Sequence, residues 1–428
     1  MTSIQPVVML PDNNARAYAE SIAPAHTEDG SPGLHATNEM RRLATPWTVA
    51  ITKANLLDSS GLSQGVILDP ACGSATQLAA LCTVLNRPGL GVELSGAVAP
   101  LAAVNLEKCA QSSNEDWSES SRILWGDGTD AKTILNTYHM HIEQNPTIAL
   151  LHVDPARPND AQKHTLDEMR PSLGELLTAW APYLGNKPSI ILDLSPRLLD
   201  EQRLEVQSIV SSIFGEVTTT WQWLTQGRGR IDRLSLWIGG AAGPHQNRLV
   251  RLTKSGLVHL IEGPPMKSVS NPSDVEIGEH LVIVDPSLIA SGLGESWRDT
   301  CGDGDTRWHT INGRRPILIS SQRVFSEESR SESSKEELER IHSMIQTYGE
   351  IIAKVPELTQ DSISEIVDMV DGSDITSLKL RCTLEPETQP KLQSQIDREL
   401  RRKTLPDSPR SGFITEVNNS YVICKEYD

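Results

Sequence analysis

Four acidic residues close four successive short apolar runs in the first half of the chain, and their types and spacing suit a nucleoside-like ligand. The first run ends in Asp69-Pro-Ala-Cys-Gly-Ser-Ala-Thr76, followed by a helical stretch from Gln77 to Leu85. Small residues at a strand-to-helix turn let the backbone approach a ligand closely. Asp69, Ala71, Cys72, Gly73 and Ser74 are therefore candidate binding residues, with Asp69 offering a carboxylate to an amine. Glu93, followed by Leu94, ends the second run, where an acid can accept from both hydroxyls of a ribose. Asp127, followed by Gly128, ends the third and can accept from an adenine amino group. Each acid alone also fits a solvated strand end, whereas three beside a glycine loop face one crevice. The fourth run ends in Asp154-Pro-Ala-Arg157. There a side-chain oxygen and a backbone carbonyl can orient an amino lone pair, and an Arg can stack on a base or pair with a phosphate. Asp154, Pro155 and Arg157 are the catalytic candidates.

The elements that must hold these residues follow a strand–helix alternation. The apolar runs are Gly65 to Leu68, Gly89 to Val92, Arg122 to Trp125, Thr147 to Val153 and Ser189 to Leu192, with helical stretches between them. Such alternation predicts crossover units and a parallel sheet covered on both faces. Two more runs, Glu216 to Leu224 and Asp232 to Ile238, flank the turn-rich Thr225-Gln-Gly-Arg-Gly-Arg230 and predict a hairpin. Five parallel strands closed by a hairpin is the pattern of an α/β, Rossmann-like class I methyltransferase sheet, and its cofactor would be S-adenosyl-L-methionine. The expected organisation is an N-terminal helical cap over 1–60, a methyltransferase domain over 61–243, a connecting segment over 244–345 with short strands and a Ser/Glu-rich linker, and a C-terminal α+β module over 346–428. The stretch Glu39 to Leu57 has helical apolar spacing and belongs to the cap.

Bulk composition narrows the partners. The chain has 428 residues, 39 basic and 56 acidic, for a formal net charge of -17. An acidic average field does not draw the chain onto polyphosphate, so any nucleic-acid contact must come from a local basic face. One candidate face is Arg398, Arg401, Arg402 and Lys403 on a helix, with Lys379 and Arg381 on a neighbouring strand. The six cysteines form no CxxC pair, and no His–Cys cluster has zinc spacing, so no metal site is expected. With no signal-peptide pattern at the start and no apolar run of transmembrane length, a cytoplasmic location is expected.

The sequence resembles class I methyltransferases with a C-terminal THUMP-like domain over most of its length. Leu43 to Ala54 looks like the family's helix preceding the cofactor loop, and Asp154-Pro-Ala-Arg157 is similar to its most specific tetrapeptide. Gln226 to Gly239 resembles its closing hairpin, His280 to Gly292 the entry to its THUMP-like part, and Leu378 to Cys382, with the helix to Arg402, the rest of that part. The departures are Ala75 in place of the last glycine of the commonest loop, Pro158 where the family usually has a second Arg, and the linker around 325–340. The resemblance implies RNA as partner and acceptor, because THUMP domains bind RNA. The remaining alternatives are a small-molecule or protein methyltransferase, and a non-catalytic RNA-binding protein with a relict methyltransferase fold.

Overall fold

The structure is a computed structural model, and it describes residues 5–27, 30–113, 116–143, 147–154, 165–301, 305–324, 335–355, 357–402 and 408–427. Two compact units divide the chain near residue 248, with a short excursion at 224–231 belonging to the second.

The first unit begins with β1 (Val7–Met9), α1 (Asn13–Ile22), α2 (Asn38–Leu43) and α3 (Trp47–Asn55). The single helix expected over Glu39 to Leu57 is two, because Pro46 disfavours helical backbone at Thr45 and starts a new helix after itself. Then follow β2 (Val66–Asp69), α4 (Thr76–Leu85), β3 (Gly89–Glu93), α5 (Ala99–Ser113), β4 (Arg122–Trp125), α6 (Ala131–Ile142), β5 (Ile148–Val153), α7 (Leu173–Trp180), β6 (Ser189–Leu194), α8 (Asp200–Phe214), β7 (Thr219–Thr225) and β8 (Arg233–Gly239). Every residue of β2, β5 and β6 is buried, as strands covered by helices on both faces must be.

Through the first unit the strand order of a ten-stranded sheet is β1-β4-β3-β2-β5-β6-β8-β7. β4, β3, β2, β5 and β6 run parallel, and β8 returns antiparallel to β6. β1 adds an antiparallel edge on β4, so the N-terminal segment contributes a strand to the sheet as well as helices. The chain winds outward from β2 through β3 to β4, then restarts on the other side with β5. Strand order therefore reverses between β2 and β5, the switch point at which open α/β sheets bind ligands beyond their strand ends.

One face of this sheet packs under α3, α4 and α5. Ile67, Leu150, Ile191 and Trp237 from the strands meet Ala79, Ala80, Ala102 and Ala103 from the helices. Alanines at the contact let the helix backbones come close to the sheet. Asn105 of α5 is fully buried in this layer. Its Nδ2 donates to the carbonyls of Ser74 and His35, and its Oδ1 accepts from the His35 amide at 2.7 Å.

β9 (Asn247–Leu252) carries the chain into the second unit, followed by β10 (Val258–Gly263), β11 (His280–Val284), α9 (Ser287–Ala290), α10 (Gly294–Asp299), β12 (Thr306–Thr310), β13 (Ile317–Ser320), α11 (Lys335–His342), β14 (Ile345–Val355), α12 (Ile363–Met369), β15 (Ile375–Leu380), α13 (Thr388–Leu400), β16 (Arg410–Val417) and β17 (Ser420–Glu426). A seven-stranded sheet of order β12-β13-β11-β14-β17-β16-β15 forms here. Its pairs are antiparallel except β15–β16, which α13 connects as a crossover. Strands from 244–345 and from 346–428 thus share one sheet, because β11 pairs with both β13 and β14. Asn418 and Asn419, both at positive φ, make the two-residue turn of the β16–β17 hairpin.

Replacing Asn105 with Ala strands the buried Ser74 and His35 backbone groups. The expected loss is about 2–3 kcal/mol of unfolding free energy in urea titration, and a loss below about 0.5 kcal/mol would contradict the bracing role.

Candidate functional site

Pleating alone places three polar side chains together under the helical layer. β2 and β5 pair Leu68 with Leu151, so Asp69 lies beside His152 on the same face. β5 and β6 pair His152 with Ile191, and Asp193, two residues on, points to that face as well. Leu150, His152, Ile191 and Asp193 therefore share the side that α3 and α4 cover. Lys53 comes down from α3 and Gln77 from α4.

The contacts form one connected network. His152 Nδ1 lies 2.8 Å from Asp69 Oδ2, and its Nε2 lies 3.1 Å from Asp193 Oδ2. Lys53 Nζ donates to Asp193 Oδ2 and, at 2.7 Å, to Gln77 Oε1. Because the Gln77 carbonyl is taken by Lys53, its amide nitrogen faces outward and donates to Asp154 Oδ2 at 2.7 Å. Asp69, His152, Asp193 and Lys53 are each no more than 5% exposed.

Charge settles the proton positions. Burial and the Lys53 ammonium pull the His152 pKa down, but Asp69 and Asp193 outweigh them and raise it to about 9. The ring is thus an imidazolium at neutral pH, with both nitrogens donating. Its 3.4 Å approach to Lys53 Nζ is two cations held on one carboxylate, Asp193. Burial would raise the Asp193 carboxyl, but Lys53 and the hydrogen-bonded His152 hold it well below the usual range. Two cations balance two anions. Asp154 is then the unmatched acid: burial, and after it the charge of Asp193, push its pKa up to about 6, against the pull of His152 and Lys53.

The strand ends are tied together by backbone contacts. The Cys72 amide donates to the Val92 carbonyl at 3.0 Å, joining the loop after β2 to β3. The Gly126 amide donates to the Glu93 carbonyl at 3.0 Å, joining β4 to β3. Gly128 packs so closely on the first loop that a Cβ there would lie 1.9 Å from the Pro70 carbonyl oxygen. Trp180 of α7, fully buried, donates its indole N–H to the Gly128 carbonyl.

Asp69 is buried, and its oxygens accept from the Ala71 amide and from His152, so it serves the loop and the network. Ala71 and Gly73 are half-buried, Cys72 and Ser74 buried. Gly73 and Ala75 both adopt left-handed backbone, at φ 53° and 61°, and a Cβ on Gly73 would meet open space. Ala75 thus takes the conformation that the missing glycine would take. Burial raises the pKa of Glu93, with the backbone amides of Ser95, Gly73 and Leu94 opposing, and the Cys72 thiol is driven far up by burial. Leu94 is exposed. Asp127 is exposed, and its Oδ1 accepts from the amide and hydroxyl of Thr129. Ser195 is buried, and Pro196 after it half-buried. Pro155 and Arg157 lie outside the described residues, as does Lys403.

Sequence reasoning missed Lys53, Gln77, His152, Asp193 and Asn105. The signal was present in two places: His152 interrupts the apolar run Ile148-Ala-Leu-Leu-His-Val153, and Asp193 interrupts Ser189-Ile-Ile-Leu-Asp-Leu194. Ionisable residues at core positions of a strand require partners. Among the described residues no cluster of His, Cys, Asp and Glu is arranged to hold a metal, and no helix is long and apolar enough to cross a membrane.

No protein-family model matches the chain, and no curated protein matches it. Solved structures do. A proposed methyltransferase from Porphyromonas gingivalis W83 aligns over 92% of this chain and 84% of its own, at 12% identity and a TM-score of 0.58. The O-methyltransferase from Bacillus cereus in complex with SAH aligns over 54% of this chain and 92% of its own, at 15% identity and a TM-score of 0.32. The cofactor-bound Rv0187 from MTB aligns over 54% and 91%, at 14% identity and a TM-score of 0.33. The first of these shows that the chain shares its fold across nearly its whole length.

His152 binds its proton more tightly folded, near pKa 9, than at its ordinary 6.5. A raised pKa stabilises fully below pH 6.5 and is lost as pH rises through 9. Unfolding free energy measured in urea at pH 6.5 and 9.5 is expected to fall by on the order of 3 kcal/mol. His152→Gln should flatten that fall; equal slopes in variant and parent would refute the buried imidazolium.

Proposed function

We propose that this chain is an S-adenosylmethionine-dependent class I methyltransferase. The observation that carries the reading is Asp154, held by Gln77 at the switch point, beside a left-handed small-residue loop and the acids Glu93 and Asp127 at the next two strand ends. The shared fold of the Porphyromonas gingivalis W83 structure supports it.

When bound, S-adenosylmethionine would supply a methyl group already activated on a sulfonium. The residues fit that ligand. The open side of Gly73 leaves room for close approach over the loop. Glu93 suits the ribose hydroxyls, and the oxygen of Asp127 not engaged by Thr129 suits the adenine amino group. Asp69, engaged inward, positions the loop and is assigned no direct contact with the cofactor amine. Asp154 keeps Oδ1 for the acceptor: with its pKa near 6 it is ionised at pH 7 and above, so it can accept an N–H and orient the lone pair. The balanced charges of Lys53, His152, Asp69 and Asp193 hold Gln77, and through it Asp154, in one orientation. Pro155 and Arg157 would complete the acceptor side.

For the acceptor the reading is an RNA base, presented by a THUMP-like C-terminal module, and it rests on the family resemblance. The basic face is diluted: α13 ends at Leu400, so only Arg398 of the expected set lies on it, and Arg402 beyond it pairs with Glu399 at 2.7 Å, leaving exposed Arg398, Arg401 and Lys379. A small-molecule or protein acceptor is the second reading, favoured by the net charge of -17.

Calorimetric titration with S-adenosylhomocysteine is expected to show binding that Glu93→Ala weakens about tenfold, the loss of one good polar contact. Absence of heat at millimolar ligand ends the cofactor reading. Asp154→Ala is expected to keep that binding while lowering methyl transfer at least about 10²-fold. Labelled-methyl transfer into RNA, protein and metabolite fractions identifies the acceptor, and label in metabolites alone removes RNA.

A further inference from the structure

The second unit holds a cavity of about 370 Å³ that the methyl-transfer reading does not use. Three arginines line it: Arg314 and Arg315 from the loop between β12 and β13, and Arg381 just after β15. Their backbones are well anchored. The Arg381 amide donates to the Ile414 carbonyl and its carbonyl accepts from the Thr415 hydroxyl, while Gln346 donates to the Arg314 carbonyl at 2.9 Å.

In a chain with 56 acids, none of the three arginines makes an ion pair within 4 Å among the described residues. Among the described residues Glu416 is the one carboxylate lining the cavity, and it is exposed. The Nε of Arg381 is buried with no hydrogen-bond partner. Burial, and then the Arg381 and Arg314 charges, depress the Arg315 guanidinium, with only the Cys382 thiol opposing. Gathering like charges around a hollow and leaving a buried N–H unsatisfied is costly unless an anion completes the set.

We propose that this cavity binds the phosphate of a phosphate ester, with Arg314, Arg315 and Arg381 as its ligands. Forked guanidinium groups match the tetrahedral oxygens of a phosphate better than a single carboxylate could satisfy three of them. The hollow is roomier than one oxyanion needs, and Asn312, Thr383 and Thr415 offer polar groups to an attached sugar. Among the described residues no Phe, Tyr or Trp lines it, and the one ring that does, the His309 imidazole, is buried, so the cavity has no broad stacking platform for a base and recognition centres on the phosphate. The same chemistry can arrive on a small sugar phosphate or nucleotide, or within an RNA strand.

The test is binding without any methyl donor, so it is independent of the cofactor reading. Ribose 5-phosphate, AMP and a fluorescent single-stranded RNA 12-mer are titrated into the full chain at fixed salt. Wild-type protein is expected to bind at least one of them, and the Arg315→Gln/Arg381→Gln double variant is expected to bind that probe at least tenfold more weakly. If RNA alone binds, the phosphate belongs to a strand; if the small esters bind as well or alone, it belongs to a free metabolite or a strand end; both support the site. Should the double variant fail to fold, Arg314→Gln, at an exposed position, carries the same comparison with at least a threefold loss expected. No binding of any probe at millimolar ester and micromolar RNA, or affinities unchanged by the substitutions, overturns the proposal.

Discussion

A protonated imidazole buried between two carboxylates is the interaction on which the first unit's site depends. His152 can keep its charge only because Asp69 and Asp193 stand on the adjacent strands to either side. Asp193 in turn tolerates burial because Lys53 reaches it from α3. Removing any member leaves an uncompensated charge in a water-excluded layer, which is far more costly than the net worth of the intact set. The arrangement therefore couples strand register, helix placement and protonation into one condition.

That condition explains why the N-terminal segment belongs to the same unit as the sheet. α3 supplies the one ammonium that the core needs, and β1 extends the sheet at its far edge. The network also ends in a useful place. Its last member, Gln77, has no choice of orientation once Lys53 occupies its carbonyl, so it presents an N–H to Asp154. A rigid interior is thereby converted into a fixed carboxylate at the strand-order reversal. Around it, close backbone packing does the rest: Gly128 against Pro70, Asn105 on the Ser74 carbonyl, and Trp180 on the Gly128 carbonyl.

The second unit solves a different problem. Its sheet is largely antiparallel, with apolar clusters on both faces, one under α12 and α13 and one built from β11, β13, β14, β16 and β17. Arg381 follows β15 of the parallel pair β15–β16, and the paired arginines sit in the β12–β13 loop. Residues 66 positions apart in the chain thus line one hollow, and no local pattern announces it. The basic helix that the sequence points to ends at Leu400, so Arg398 lies on it while Arg401 and Arg402 follow its end, and the Glu399 carboxylate holds Arg402.

The sequence by itself determined the alternation of strands and helices and the acids at strand ends, because both are local. Period-2 and period-3.6 patterns are written in neighbouring residues, and an acid that closes an apolar run is visible without knowing what lies beside it. It also marked the loop at Asp69, where small residues announce a close approach. Tertiary structure alone decided what Asp69 does. Its carboxylate faces an imidazolium from a strand 83 residues away, and that pairing follows from strand order and register. The same holds for Lys53, Gln77 and Asp193, whose meaning lies in which faces are brought together. Buried charge is a property of the assembled layer, since only packing removes the water that would otherwise make each of these residues ordinary.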